Sequence, residues 1–189
     1  VTLAGYDARY VIPSRVNTCL DRSFGSFDEM RNAMLGDPLI SSVTMEDYDH
    51  VIADRDLIAG VLKGAVDSGA SGVNILLYGP PGSGKTELAK VAALAAGADL
   101  FATGEAVGGD GESDRSERLA DITFSQRLLG SQKRTALLFD EMEDVAVHLI
   151  KRGGSKVYLN RLLETNPIPI IWTSNELQHI DPALLRRMT

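Results

Sequence analysis

The sequence predicts an α/β fold, with a parallel sheet covered by helices on both faces. Short, near-continuous apolar runs, among them Val73–Tyr78, Thr135–Phe139 and Pro169–Ser174, alternate with longer stretches of helical periodicity. Strands apolar on both faces belong inside a parallel sheet. A glycine-rich segment, Gly79-Pro80-Pro81-Gly82-Ser83-Gly84-Lys85-Thr86, joins the first run to a helical one, the strand–loop–helix arrangement of a phosphate-binding loop. Finally, Asp140-Glu141 and Asn175 follow directly on two of the runs, at the carboxyl edge where open α/β sheets bind ligands.

The elements are expected in this order. Residues 1–43 form an N-terminal extension broken by Pro13, Gly25, Gly36 and Asp37-Pro38, with Phe27–Leu35 as one short helix. Thr44 and Asp47 form a capping signal, and Leu57, Ile58, Val61, Leu62, Ala65 and Val66 recur at helical spacing up to Ser68-Gly69. The first strand and the glycine-rich loop follow, then a helix over Glu87–Ala96. Asp99–Thr103 is a short strand, Gly104–Ser113 a glycine- and acid-rich loop, and Arg115–Leu129 a helix with Leu119, Ile122, Phe124 and Leu128 as its apolar positions. After Thr135–Phe139 comes a helix reaching Ile150, a loop at Lys151–Ser155 and a helix over Lys156–Glu164. The last strand ends at Ser174, and Asp181-Pro182 opens a final helix with proline in its first turn.

Bulk properties narrow the class. The 189 residues, 44% apolar and 24% charged, suit one good-sized domain with a real core. No apolar run reaches the roughly 18 residues of a membrane span. The N-terminus has no basic region followed by an apolar core, so no signal peptide is expected; it also lacks a starting methionine, which suggests a trimmed or processed chain. Cys19 is the single cysteine, which excludes an intrachain disulfide and a cysteine-based metal site and leaves a buried or inert thiol in a reducing, cytoplasmic compartment. The net charge of −7, with no Lys/Arg run longer than two, argues against a broad nucleic-acid surface.

The chemistry starts with the loop. Glycines let the backbone fold round an anion with its N–H groups inward, and the helix that follows adds its positive end. Lys85 would reach the β- and γ-phosphates, and the Thr86 hydroxyl would ligate Mg²⁺. These features predict a bound nucleoside triphosphate. Asp140 would hold Mg²⁺, directly or through water, while Glu141 would orient and deprotonate an attacking water. The plainer alternative is that the acids cap the next helix. Asn175, both donor and acceptor, could position that water, or could serve only as a turn residue. Arg186 and Arg187 are either solvated helix charges or the source of an arginine that reaches a neighbour's nucleotide site.

Together, Gly79–Thr86 (GPPGSGKT), Leu137–Asp144 (LLFDEMED), Thr173–Asn175 (TSN) and Asp181–Arg187 (DPALLRR) resemble, in order and spacing, the Walker A, Walker B, sensor 1 and arginine-finger segments of the AAA+ ATPases. Gly111-Glu112-Ser113 and Asn160-x-Leu162-Leu163 also resemble motifs of that family, and the likeness runs from about Asp47 to the end. It implies a P-loop NTPase three-layer α/β/α sandwich with sheet order 5-1-4-3-2, residues 44–189 forming the large subdomain and the fifth strand and helical lid lying outside this sequence. It further implies ATP hydrolysis with Mg²⁺ at subunit interfaces of a ring, usually a hexamer, that remodels a protein partner. In this sequence the resemblance points to Glu141 as catalytic base, Asn175 as sensor 1, Arg186 as the finger acting in trans and Arg187 as its alternative. Tyr48-Asp49-His50-Val51-Ile52 resembles the segment whose backbone contacts adenine, which assigns Val51 and Ile52 to the base, although Ile52 stands where a glycine is common.

The sequence departs from the family pattern in three places. Ala106-Val107-Gly108-Gly109-Asp110 has no aromatic where translocating members carry an aromatic–aliphatic–glycine pore loop. Leu185-Arg186-Arg187-Met188 lacks the Pro-Gly-Arg of a second finger, and the sequence stops at Thr189. The first departure keeps a second class open, an ATP-gated assembly switch or scaffold that threads nothing. A third class, a small P-loop kinase, seldom carries the acid pair, the asparagine strand end and an arginine segment together.

Overall fold

The computed structural model describes residue 16 and residues 19–104, 115–143, 156–178 and 180–189. The loop and pore-loop positions at 105–114, the run to Ile150, the loop at Lys151–Ser155 and residues 1–15 of the N-terminal extension lie outside the described residues. Four parallel strands, β1 (Asn74–Tyr78), β2 (Asp99–Thr103), β3 (Thr135–Phe139) and β4 (Ile170–Ser174), form one sheet in the order β1-β4-β3-β2. This is the expected order for strands 1 to 4.

Around the sheet lie α1 (Phe27–Leu35), a 3₁₀ helix (Met45–Val51), α2 (Ile52–Ser68), α3 (Lys85–Ala96), α4 (Arg115–Leu129), α5 (Lys156–Thr165) and the short α6 (Pro182–Leu185). The local chemistry sets their ends. Ser26 caps α1 by accepting from the Glu29 N–H, and the Asp47 carboxylate accepts from the Thr44 N–H at 2.8 Å to start the 3₁₀ turn. Gly69 and Gly97 close α2 and α3 in the left-handed conformation. Asp181 caps α6, with Pro182 at its first position.

Strand periodicity sorts the side chains into two cores. Phe101, Leu137, Phe139, Ile170 and Trp172 face α4, α5 and α6 through Ile122, Leu129, Leu159, Leu163 and Leu184. Ile75, Leu77, Leu100, Ala136, Leu138 and Ile171 face α2 and α3 through Ile58, Leu62, Ala89, Ala92, Ala93 and Ala96. The alanine face lets α3, the helix that follows the glycine-rich loop, lie close on the sheet. The result is the three-layer sandwich the sequence predicts.

Both outer strands have partners. On the β1 side, Thr189 donates to the Asn74 carbonyl at 2.9 Å and accepts from the Leu76 N–H at 3.0 Å. On the β2 side, the Leu39 N–H donates to the Leu100 carbonyl at 2.7 Å, while Leu35 packs into the core and the Arg31 guanidinium lies over the Phe101 ring, 5.0 Å from its centre. Cys19 is buried, its thiol directed at the Ala33 carbonyl 3.8 Å away.

One position departs from the expected apolar face of α4. Asp121 is buried there, because its carboxylate accepts from the Gly104 N–H at 2.6 Å and the Thr103 hydroxyl at 3.3 Å where β2 ends. Gly104 itself has a φ of 79°, and a Cβ at this residue would come within 2.4 Å of the Phe139 ring. Gly104→Ala therefore combines a strained backbone with an overlap in the core and should lower unfolding free energy by about 2–4 kcal/mol, read as a lower urea midpoint at unchanged slope. An unaltered midpoint would mean that the Phe139 ring yields freely.

Candidate functional site

The glycine-rich loop leaves β1 at Gly79 and enters α3 at Lys85. Gly82 and Gly84 take positive φ values of 77° and 83°, the left-handed region that favours glycine. The loop is braced internally by the Ser83 N–H on the Pro80 carbonyl at 3.2 Å, and against β4 by the Gly79 N–H on the Ser174 carbonyl at 3.2 Å. No side chain caps α3 at Gly84. Among the described residues the N–H groups of Gly82, Gly84, Lys85 and Thr86 have no hydrogen-bond acceptor. A row of donors at a helix start is the arrangement that binds phosphate.

Lys85 sits at the centre. Its ammonium donates to the carbonyls of Gly79 at 2.8 Å and Pro80 at 3.1 Å and to the Asn175 side-chain oxygen at 3.0 Å. All three donors meet neutral oxygens, so a phosphate oxygen would exchange a neutral partner for a charged one, with a stronger bond. The same contact fixes the Asn175 amide with its oxygen toward the loop, since an ammonium accepts nothing.

At the end of β3, the Asp140 carboxylate lies 3.5 Å from the Thr86 hydroxyl. Two hard oxygens at this separation suit Mg²⁺, which takes the rest of its shell from phosphate and water rather than from a full protein cage. Among the described residues there is no cluster of three or more His, Cys, Asp or Glu that could hold a metal ion. The other Asp140 oxygen accepts from the Thr173 hydroxyl, and the Asp140 carbonyl accepts from Arg118 on α4. Arg118 also donates to the Gly104 carbonyl at 2.9 Å and stacks over Phe139, 4.5 Å from the ring centre. Glu141 has a φ of 57°, unusual for a non-glycine residue. Its side chain is exposed and its N–H donates to the Thr173 hydroxyl at 3.2 Å.

Glu143, one residue beyond Met142, accepts from the Asn175 N–H at 3.0 Å. Burial pushes its pKa up, but its own N–H and the Asn175 N–H, with the nearby polar side chains of Ser174 and Asn175, outweigh burial and hold it below the usual carboxylate range. Glu143, Asn175 and Lys85 thus form a relay from the acid segment to the loop.

A cavity of about 500 Å³ lies between the 3₁₀ helix, α2 and β1, with Gly79, Pro80, Ser83 and Lys85 at its phosphate end. Its volume is within the range of small-molecule sites. Val51 lines it, as do Tyr48 and His50, whose rings stack with centres 6.0 Å apart. The Ile52 side chain does not; it begins α2 and is 52% exposed. Tyr48 also ties this wall to the loop, because its hydroxyl donates to the Gly84 carbonyl at 2.9 Å. Burial first, and then the charges of Glu87 and Asp47, push the phenol pKa up and keep it a donor.

The structure therefore brings Gly79–Thr86, Asp140, Glu141, Asn175 and Val51 to one sheet edge. Neither arginine hydrogen-bonds this cluster. Arg187 pairs with Glu164 on α5 at 2.7 Å and donates to the Ala183 carbonyl, whereas Arg186 is exposed, with no side-chain partner among the described residues. Four site residues escaped the sequence reading: Tyr48, Arg118, Glu143 and Thr173. Three of them lie inside quoted motifs, Tyr48 in Tyr48–Ile52, Glu143 in Leu137–Asp144 and Thr173 in Thr173–Asn175, but Arg118 carries no local signal.

A parallel sandwich with a phosphate cradle, a hydroxyl–carboxylate pair and a polar strand end at one edge defines a P-loop nucleotide-binding domain. The family model described as "ATPase family associated with various cellular activities (AAA)" matches residues 75–189, and the chain belongs to that family. It is 31% identical over 125 residues to ATPase family gene 2 protein homolog B of Bos taurus (59% of this chain, 16% of that protein). It is 32% identical over 196 residues to peroxisomal ATPase PEX6 of Arabidopsis thaliana (88% and 19%). A probable inactive ATP-dependent zinc metalloprotease, chloroplastic FTSHI 4 of Arabidopsis thaliana, is 28% identical over 195 residues (88% and 22%). The chain thus spans 16–22% of the length of these relatives. Among solved structures, the fold matches the FIGL-1 AAA domain in complex with ADP (TM-score 0.57, 17% identity, 89% of this chain and 62% of that one). It also matches a structure described as the structural basis for katanin self-assembly (TM-score 0.58, 16% identity, 98% and 59%). No helix among the described residues is long and apolar enough to cross a membrane.

The Glu143 relay carries a pH signature. Its carboxyl titrates lower in the folded state than in the unfolded chain, so its contribution to stability is complete above the ordinary glutamate value of about 4.3 and is lost as pH falls through the lower folded value. Urea unfolding of wild type and Glu143→Gln should give a constant stability gap from pH 6 to 8 that closes below about pH 4. A gap independent of pH would show that the carboxylate charge contributes nothing.

Proposed function

We propose that this domain binds Mg-ATP and hydrolyses it, with the site completed by a second copy of the protein in a ring, a hexamer of the full-length chain, and that turnover remodels a protein partner. The observation that carries the reading is the Lys85 ammonium, held between the loop carbonyls and Asn175 beside the Thr86–Asp140 pair. The ADP complex of the FIGL-1 domain and the self-assembly of katanin support nucleotide binding and self-association by likeness of fold.

In this reading the cavity wall at Val51 and the backbone of Val51-Ile52 take the base, while the loop N–H groups and Lys85 take the phosphates. Thr86 and Asp140 hold Mg²⁺, which when bound offsets phosphate charge. Glu141, exposed at the same edge, accepts the proton of the attacking water, and Asn175 holds that water against the γ-phosphate. Arg186 reaches the neighbouring copy's nucleotide, where it stabilises charge in the transition state. We place the protein in the cytoplasm, where the lone Cys19 thiol stays reduced, and consider nucleic acid an unlikely partner for a chain of net charge −7.

One observation favours a second reading, an ATP-gated switch or scaffold: the Glu141 side chain has no hydrogen-bond partner among the described residues. A relative 28% identical over 195 residues is named as probably inactive.

Glu141→Gln in the full-length protein should cut ATP turnover by about 10²–10⁴-fold and leave ATP affinity within about threefold. Arg186→Ala should lower turnover by about 10³-fold. Mixing the two variants should restore activity, because each Arg186→Ala subunit then meets an intact arginine from its Glu141→Gln neighbour. No recovery on mixing would overturn action in trans, and full turnover in Glu141→Gln would overturn the base.

A further inference from the structure

Thr173 stands on the central strand β4 and is 1% exposed. It pairs with Leu77 of β1 and shares the sheet face of Ile171, which looks toward α3. Just before it, Trp172 pairs with Phe139, the last residue of β3. Its hydroxyl therefore lies in the gap between the loop strand and the acid pair, and both its capacities are used there. It donates to one oxygen of Asp140 and accepts from the N–H of Glu141 at 3.2 Å.

We infer that Thr173 is a positioning residue for the Mg²⁺ site, acting through Asp140 and Glu141. This rests on the Mg-ATP reading above. The first bond fixes the rotation of the Asp140 carboxylate, so that its second oxygen faces the Thr86 hydroxyl at 3.5 Å. A carboxylate free to turn would present that oxygen only part of the time. The second bond gives the Glu141 N–H a buried acceptor in a left-handed turn that a glutamate does not otherwise favour. One hydroxyl thus sets the metal ligand and the turn that aims the neighbouring acid. Arg118, on the Asp140 carbonyl, holds the backbone of that residue but leaves its carboxylate free to rotate. An aliphatic replacement supplies neither the donor to Asp140 nor the acceptor for the Glu141 N–H.

The test uses the full-length protein, a fluorescent ATP analogue and two titrations, one of Mg²⁺ at fixed analogue and one of analogue in EDTA. Thr173→Val, which keeps shape and removes the hydroxyl, should raise the Mg²⁺ concentration for half-maximal binding by about 10–100-fold. Its binding in EDTA should stay within about twofold of wild type, and Thr173→Ser should restore the Mg²⁺ response. Should the valine variant fail to fold, Thr173→Ala is read in the same two titrations. A Mg²⁺ response unchanged in the folded variant, or equal losses with Mg²⁺ and in EDTA, would overturn the positioning role. Wild-type protein that binds the analogue without any Mg²⁺ dependence would overturn the Mg-ATP reading, and this inference with it.

Discussion

Placing β4 between β1 and β3 is the constraint on which the rest of the site depends. In a parallel sheet every strand delivers its following residue to the same edge, and right-handed crossovers carry the chain back through helices on either face. With β1 beside β4 and β4 beside β3, the ends of three strands lie in a row although about sixty residues separate the first from the second. The loop after Tyr78, the acids after Phe139 and the asparagine after Ser174 therefore meet. Had β4 stood at an outer position, Asn175 could not reach Lys85, nor Thr173 the acid pair. The alternating core keeps the row in register: a slip by one residue would send Phe139 and Trp172 to the alanine face of α3.

What gathers at that edge is mostly polar and is held by bonds, not by apolar packing. The Lys85 charge rests on three neutral oxygens, and Asp140 is gripped through its carbonyl by Arg118 and through its carboxylate by Thr173. Asn175 has its N–H on Glu143 and its oxygen on Lys85. By contrast, the Glu141 carboxylate projects into solvent. Fixed donors with one unfixed acid suit a site that binds first and completes its chemistry only when a further surface arrives. The N-terminal segment joins the same framework: Glu87, beside the loop lysine and threonine on α3, accepts from the Ser41 hydroxyl at 3.1 Å and the Ser42 N–H at 3.2 Å. From Leu39 on β2 to Tyr48 on Gly84, this stretch runs across α3 and presses on both sheet edge and loop.

Most of this was legible in the sequence because it is written in local pattern. Apolar runs of five or six residues named the strands, helical spacing named α2, and the glycine spacing of the loop named the phosphate cradle. What stayed hidden depends on partners distant in sequence. The burial of Asp121 on α4 has no local signal, because its partner, the Gly104 N–H, is a donor freed only where β2 ends beside that helix. The Arg118 side chain spans the ends of β2 and β3, and nothing near position 118 announces either. Thr173 was read as part of a strand ending, yet its hydroxyl matters only because a neighbouring strand stops one residue earlier. Ile52 was assigned through its backbone by resemblance; its side chain begins α2 and is exposed, whereas Val51 lines the cavity.

The same distinction separates the two arginines that the sequence left open. Arg187 is committed within its own chain, its guanidinium on Glu164 and on the Ala183 carbonyl, which pins α6 to α5. An exposed pair of this kind contributes only about 0–1 kcal/mol, so its use is geometric: it fixes the direction in which the following backbone leaves α6. That backbone is the stretch whose Thr189 lies against the outer edge of β1. Arg186, one residue earlier on the turn, is exposed and has no ion-pair partner among the described residues. To act on a neighbouring copy it surrenders only hydration, whereas Arg187 would first have to release α6 from α5. The ion pair that occupies Arg187 thus leaves Arg186 as the arginine available under the proposed action in trans.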